Sequence, residues 1–186
     1  MKKAYVFLAD GFEETEAIFP ADIMKRAGIA VQLVSCGKTT VVKGAHGISV
    51  VCDVTVDDVR EPLPDAVVLP GGMPGAVNLA NNDDVRAICV AMNDAGKVVA
   101  SICASPAVAF CVFGLLKGKN YTCYPGMEDE VPAELSGNWK KDRVVVDGNL
   151  VTSRGPGTAG EFGFALVDVL LGDGASKQLR KGMLCK

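Results

Sequence analysis

The stretch that most constrains this chain runs from Val98 to Phe113, Val-Val-Ala-Ser-Ile-Cys-Ala-Ser-Pro-Ala-Val-Ala-Phe-Cys-Val-Phe. Its first five residues make an apolar, β-branched run of the kind that fills a strand buried on both faces, and the run stops at Cys103. Behind Pro106 an Ala/Val/Phe run suits a helix, with the proline at a first-turn position where no N–H is needed. Cys103 therefore stands at a strand-to-helix elbow. A thiol there faces the partial positive charge of a helix N-terminus, which favours the nucleophilic thiolate. The alternative is a small buried hydrophobe, an ordinary role for a free cysteine.

Around this elbow the chain alternates strand and helix patterns. Lys3 to Ala9 reads as a buried strand, and Asp10-Gly11 turns into Glu13-Glu14-Thr15-Glu16 at the start of a helix reaching about Ala27, with Ala17, Ala21 and Met24 on one face and Gly28 as its stop. Glu13 and Glu14 read as acids complementing the helix dipole. Ile29 to Ser35 is a second strand. Thr39 to Val59 reads as a small hairpin or edge excursion, with His46, the single histidine, in its turn and exposed. Asp65 to Leu69 is a strand that runs into Pro70-Gly71-Gly72-Met73-Pro74-Gly75, whose backbone N–H groups can approach an oxyanion. Asp83-Asp84 caps a helix with Val85, Ile88, Cys89 and Met92 on its apolar side, ending before Gly96. After the elbow helix, Asn120 to Tyr124 is a strand and Pro125 to Trp139 an irregular, acidic segment. Arg143 to Val146 and Leu150 to Thr152 pair across Asp147-Gly148. Ser153 to Thr158 leads into a helix over Glu161–Leu171, and the tail from Ala175 to Lys186 has weak helical character.

This order predicts one α/β domain over residues 1–186 with a mainly parallel sheet. In such sheets functional groups gather beyond the carboxyl ends of the strands, so Asp10 to Glu16, Pro70 to Gly75, Cys103 and Ser153 to Thr158 should share one rim. The net charge of −3 argues against a nucleic-acid binder. The glycine loops match neither the dinucleotide nor the phosphate-loop spacing. No apolar run is long enough to span a bilayer, and Met1 to Ala9 is closed too soon by Asp10 for a signal peptide, so a cytoplasmic protein is expected. Seven cysteines, at positions 36, 52, 89, 103, 111, 123 and 185, contain no Cys-x-x-Cys pair and suggest neither a disulfide framework nor a zinc ribbon.

Glu13-Glu14-Thr15-Glu16, Leu69-Pro70-Gly71-Gly72, Ala100-Ser101-Ile102-Cys103-Ala104 and Thr152-Ser153-Arg154-Gly155-Pro156-Gly157-Thr158, in this order, resemble the motifs of the ThiJ/PfpI superfamily, in the branch of the Parkinsonism-associated protein deglycases. The resemblance covers nearly the whole chain. It implies a flavodoxin-like three-layer sandwich, a homodimer, and a site that needs neither cofactor nor metal. It makes Cys103 the nucleophile, Glu16 the carboxyl that hydrogen-bonds it and moves protons, and the amides of Gly72 and Ala104 the oxyanion site. A carboxyl beside a thiolate tends to stay protonated because adjacent anions repel, so Glu16 can donate. Where family members commonly carry a histidine this chain has Tyr124, a poor general base at neutral pH. Asp22 matches the position that partners that histidine, so Tyr124 and Asp22 are auxiliary candidates.

Chemistry on a small carbonyl follows from these residues. Thiolate addition to methylglyoxal or glyoxal, a proton shift by Glu16 and release of a hydroxy acid is one expectation; glycated protein is the related substrate. A second is a redox sensor or chaperone in which Cys103 is oxidised to a sulfinate steadied by Glu16. Hydrolase or peptidase activity, known in the superfamily, would want the histidine that Tyr124 replaces.

Overall fold

The computed structural model describes residues 1–59 and 62–185. Its strands are β1 (Lys3–Leu8), β2 (Ala30–Ser35), β3 (Val41–Lys43), β4 (Ser49–Val51), β5 (Val54–Thr55), β6 (Ala66–Leu69), β7 (Val98–Ile102), β8 (Asn120–Tyr121), β9 (Asn138–Trp139), β10 (Val144–Asp147) and β11 (Leu150–Ser153). The α-helices are α1 (Glu14–Arg26), α2 (Gly75–Ala80), α3 (Asp83–Asp94), α4 (Ala159–Leu171) and α5 (Ser176–Gly182). Seven strands form one sheet in the order β10-β11-β7-β6-β1-β2-β5, parallel except for the β10–β11 hairpin at its edge.

The near-continuous apolar strands are explained by burial on both faces. Tyr5, Phe7, Val67, Leu69 and Val99 pack towards α2, α3 and the helix behind the elbow, with Leu79, Ile88, Met92 and Phe110. Their neighbours Ala4, Val6, Leu8, Val68 and Ala100 pack the opposite way, against Ile23, Met24, Phe162 and Leu166 of α1 and α4. This is the expected three-layer α/β sandwich. Gly163 lets α1 and α4 touch, since a Cβ there would stand 3.0 Å from the Pro20 Cα and 2.9 Å from the Ile23 Cδ1.

Several local expectations shift. The hairpin turn is Gly148–Asn149, because Asp147 pairs with Leu150 and its carboxylate accepts from the Asn120 N and Nδ2 at 2.7 Å each. The strand expected over 120–124 shortens to β8, which pairs with β9 outside the main sheet. Its later donors are taken elsewhere, Thr122 N by the Thr152 hydroxyl at 2.9 Å and Tyr124 N by the Cys103 carbonyl at 2.8 Å. Helix α3 is capped by Asn82, whose Oδ1 accepts from Val85 N at 2.9 Å; Asp83 and Asp84 form its first turn. Helix α4 begins at Ala159, two residues before Glu161. Helix α2, six residues long, carries no periodic pattern long enough to announce it.

Candidate active site

The four expected loops meet beyond the carboxyl ends of the parallel strands, joined by backbone hydrogen bonds. Glu13 N donates to the Gly71 carbonyl at 2.9 Å, Gly75 N to Gly11 at 3.1 Å and Cys103 N to Ser153 at 2.9 Å. The elbow is a tight one. Cys103 has φ +64, the left-handed region that ordinary residues avoid at a cost of about 1–2 kcal/mol, and the helix behind it is wound as a π-helix over Pro106–Phe110. The Ser105 hydroxyl donates to the Pro70 carbonyl at 2.5 Å, fastening the elbow to the glycine loop.

Glu16 arrives from α1. Glu13 is the N-cap, and its carboxylate accepts from Glu16 N at 2.7 Å, so the first turn is held with Glu16 pointing inward and fully buried. Glu16 Oε2 accepts from Gly71 N at 2.8 Å. Its other oxygen, Oε1, is buried without a formed hydrogen bond, and the group that engages the carboxyl besides the Gly71 amide is the Cys103 thiol. Burial raises the Glu16 pKa to about 7 against the pull of the thiol and the Gly71 amide. The thiol is pushed up as well, first by burial and then by the charge of Glu16, while the amides of Ala104 and Gly72 hydrogen-bond it and pull the other way. Proximity to a helix N-terminus is therefore not enough to ionise this thiol. Two neighbouring anions in a buried site repel, so the two groups are not ionised together, and either is the natural acceptor of the other's proton.

A cleft of about 610 Å³ opens over Cys103, walled by Met73, Ala104, Tyr124, Pro125, Met127 and Glu130. Tyr124 is half exposed, and its ring lies against Gly155, where a Cβ would stand 3.5 Å from it. Asp22 lies elsewhere, on the outer face of α1, paired with Arg26 at 2.7 Å. Cys103, Glu16, Gly72, Ala104 and Tyr124 are thus brought together, and Asp22 is not among the cleft walls.

Glu14 does more than complement the helix dipole. Its carboxylate accepts from the backbone N of His46 at 2.8 Å and lies 2.8 Å from the ring Nδ1, clasping the β3–β4 turn to α1. Burial raises the Glu14 pKa, yet the His46 ring and the turn's amides outweigh it and leave the carboxyl below its ordinary value. The residue signals were present, but partners 32 positions apart share no local pattern. Glu13, Glu14 and His46 also offer ligand atoms within 4.8 Å of one another, though these hydrogen bonds already occupy them. Among the described residues no helix is long and apolar enough to cross a membrane.

A model of the DJ-1/PfpI family matches residues 2–169. Protein DJ-1 homolog B of Arabidopsis thaliana is 38% identical over 92% of this chain, which spans 39% of that relative's length. A deglycase of Pyrococcus abyssi is 39% identical over 83% of this chain and 91% of its own length. The crystal structure of a cysteine-to-alanine mutant of a DJ-1 superfamily protein from Salmonella typhimurium superposes with a TM-score of 0.95 at 37% identity, covering 100% of both chains.

Proposed function

The chain belongs to the DJ-1/PfpI family, and from that premise we propose that it is a cysteine-dependent, cofactor-independent enzyme acting on small reactive carbonyls, of glyoxalase or protein-deglycase type. The observation that carries the reading is the placement of Cys103 beside the buried Glu16 at a strained elbow, with Gly72 and Ala104 next to it in one cleft. The Cys103 sulfur adds to the aldehyde carbon of methylglyoxal while its proton passes to Glu16, and the developing oxyanion meets the Gly72 and Ala104 amides. Glu16 returns that proton to the oxyanion to give the hemithioacetal hydroxyl. The freed carboxylate then carries the hydrogen of the former aldehyde carbon, as a proton, to the neighbouring carbonyl carbon, while the hydroxyl proton passes to the neighbouring oxygen. The first carbon is oxidised to a thioester and the second reduced to an alcohol, with no external oxidant. Water cleaves the thioester, releasing lactate and the thiol. A carboxyl raised to about 7 suits both halves of this transfer near neutral pH. On a glycated side chain the same addition would begin repair of an early adduct.

The test is lactate formation from methylglyoxal by the purified protein and by Cys103→Ala. Equal rates would refute the proposal.

A redox-sensor reading is favoured by Tyr124, because holding a sulfinate needs Glu16 and the amides but no further base. It requires Cys103 to oxidise ahead of the other six cysteines under mild peroxide, measured by mass spectrometry. The seven cysteines are free, which fits a reducing compartment, and the proposal places the protein in the cytoplasm. It also takes the protein as a homodimer, supported by Ile18, Ile48 and Val51, which are 40%, 60% and 71% exposed around the α1 and hairpin face.

A further inference from the structure

We propose that Glu130 makes the Cys103 cleft selective by charge, so that it admits neutral dicarbonyls and adducts on lysine or arginine in preference to carbonyls bearing a carboxylate or phosphate. This deepens the carbonyl-enzyme reading and rests on it for the substrates, though not for the selection itself.

The described walls of the cleft contain no lysine, arginine or histidine. Met73, Ala104, Tyr124, Pro125 and Met127 give it a largely apolar surface, and its one charged wall is Glu130. Glu130 ends a single 3₁₀ turn, Met127–Glu130, that carries three acids, and these face different ways. The Glu128 carboxylate accepts from Gly126 N at 2.7 Å and lies 3.9 Å from the Cys123 sulfur, so it is committed to holding the loop. Asp129 is exposed and is not a wall of the cleft. Glu130 remains, exposed at the rim. Deeper in, the Glu16–Cys103 pair carries negative charge once Glu16 gives up its proton. An anionic substrate would meet a carboxylate at the entrance and a second negative charge at the bottom, with no cation on the walls to offset either. A unit charge several ångströms from another in such a cleft is worth roughly a factor of ten in binding. A neutral aldehyde escapes this penalty and gains the apolar wall.

The direct test measures Cys103 alkylation, which needs no turnover. Iodoacetamide is neutral and iodoacetate anionic; in both, the sulfur displaces iodide. The ratio of their rates at Cys103, followed by mass spectrometry at low salt, is compared among the unaltered protein, Glu130→Gln, Glu130→Lys and Asp129→Asn. The amide-over-acid preference should fall at least fivefold in Glu130→Lys and by less in Glu130→Gln. It should hold within twofold in Asp129→Asn, and about 1 M salt should compress the differences. An unchanged ratio in Glu130→Lys, or an equal fall in Asp129→Asn and Glu130→Gln, would overturn the proposal. The methylglyoxal-to-glyoxylate ratio of kcat/KM should shift in the same direction. Absent turnover with the alkylation ratio shifted as expected would remove the carbonyl reading and leave the charge selection standing. Turnover with an unshifted ratio would do the reverse.

Discussion

The Gly71 amide donates to Glu16 Oε2 at 2.8 Å across a gap that only a glycine leaves open. A Cβ on Gly71 would stand 2.6 Å from the Cys103 Cβ and 2.7 Å from Glu16 Oε2, with the Ala104 amide N at 3.0 Å. Two of those neighbours sit on or beside the backbone of the elbow and cannot rotate away. Gly71→Ala should therefore force Cys103 and Glu16 apart, lowering stability by about 1–3 kcal/mol, the ordinary cost of overpacking. Urea denaturation reads the loss, and methylglyoxal turnover should fall further than the stability change explains. Wild-type stability in this variant would mean that the loop yields easily and that the packing argument is wrong.

Glu16 should destabilise the fold at neutral pH. Its folded pKa of about 7 lies above the ordinary carboxyl value of 4.5, so the folded protein holds the proton more tightly than the unfolded chain. Its contribution is then complete below pH 4.5 and is lost as pH rises towards 7. Glu16→Gln keeps an acceptor for Gly71 and removes the titration. The variant should be more stable than the parent at pH 8 by about 1–3 kcal/mol, with the difference vanishing near pH 4, while carbonyl turnover is abolished. Denaturation midpoints at the two pH values check this, and a variant less stable at pH 8 would show that the carboxylate is held rather than tolerated.

Much of this arrangement was legible because it is written in short-range patterns. Val98 to Ile102 is apolar apart from the small, buried Ser101 because β7 is covered on both faces, and the stop at Cys103 marks the elbow directly. The positions of the glycine loop and of Glu16 followed from strands ending on one rim, although no local spacing links Glu16 to Cys103; their pairing came from the resemblance. What escaped has a common physical cause, namely hydrogen bonds between distant segments. Asp147 left its turn for Asn120, Tyr124 left its strand for Cys103, and Glu14 reached across to His46. None of these exchanges alters hydrophobic periodicity, so none could be read from it. Asp22 shows the opposite limit, a residue carried by motif position whose side chain in this chain turns to Arg26.

His46 gives a clean probe of the clasp on the hairpin turn, since the sequence contains one histidine and its ring signals need no assignment by mutation. The hydrogen bond and charge of Glu14 raise the His46 pKa above its ordinary value of 6.5, outweighing the small opposing effect of burial. An NMR titration should find it raised in the parent and returned towards 6.5 in Glu14→Gln. Exchange protection of the His46 amide should fall in the same variant. A titration identical in both proteins would mean that the ring is free in solution and that Glu14 holds only the backbone.

Tyr124 is the departure from the family motif that bears most directly on mechanism. Its amide is tied to the Cys103 carbonyl at 2.8 Å, so the backbone places the ring in the cleft wall whatever the side chain carries. A phenol hydroxyl serves as a hydrogen-bond donor more readily than as a base, whereas the buried Glu16 carboxyl lies beside Cys103 and has a pKa raised to about 7. If Glu16 alone moves protons, removing the hydroxyl should matter little. Tyr124→Phe should keep kcat/KM for methylglyoxal within about threefold of the parent, with the same acidic limb in the pH profile. Tyr124→Ala, which removes the apolar wall, should raise KM more than it lowers kcat. A loss of a hundredfold or more in Tyr124→Phe, concentrated in kcat, would instead make the phenol a proton donor to the oxyanion, and the scheme with Glu16 as the sole carrier would have to be abandoned.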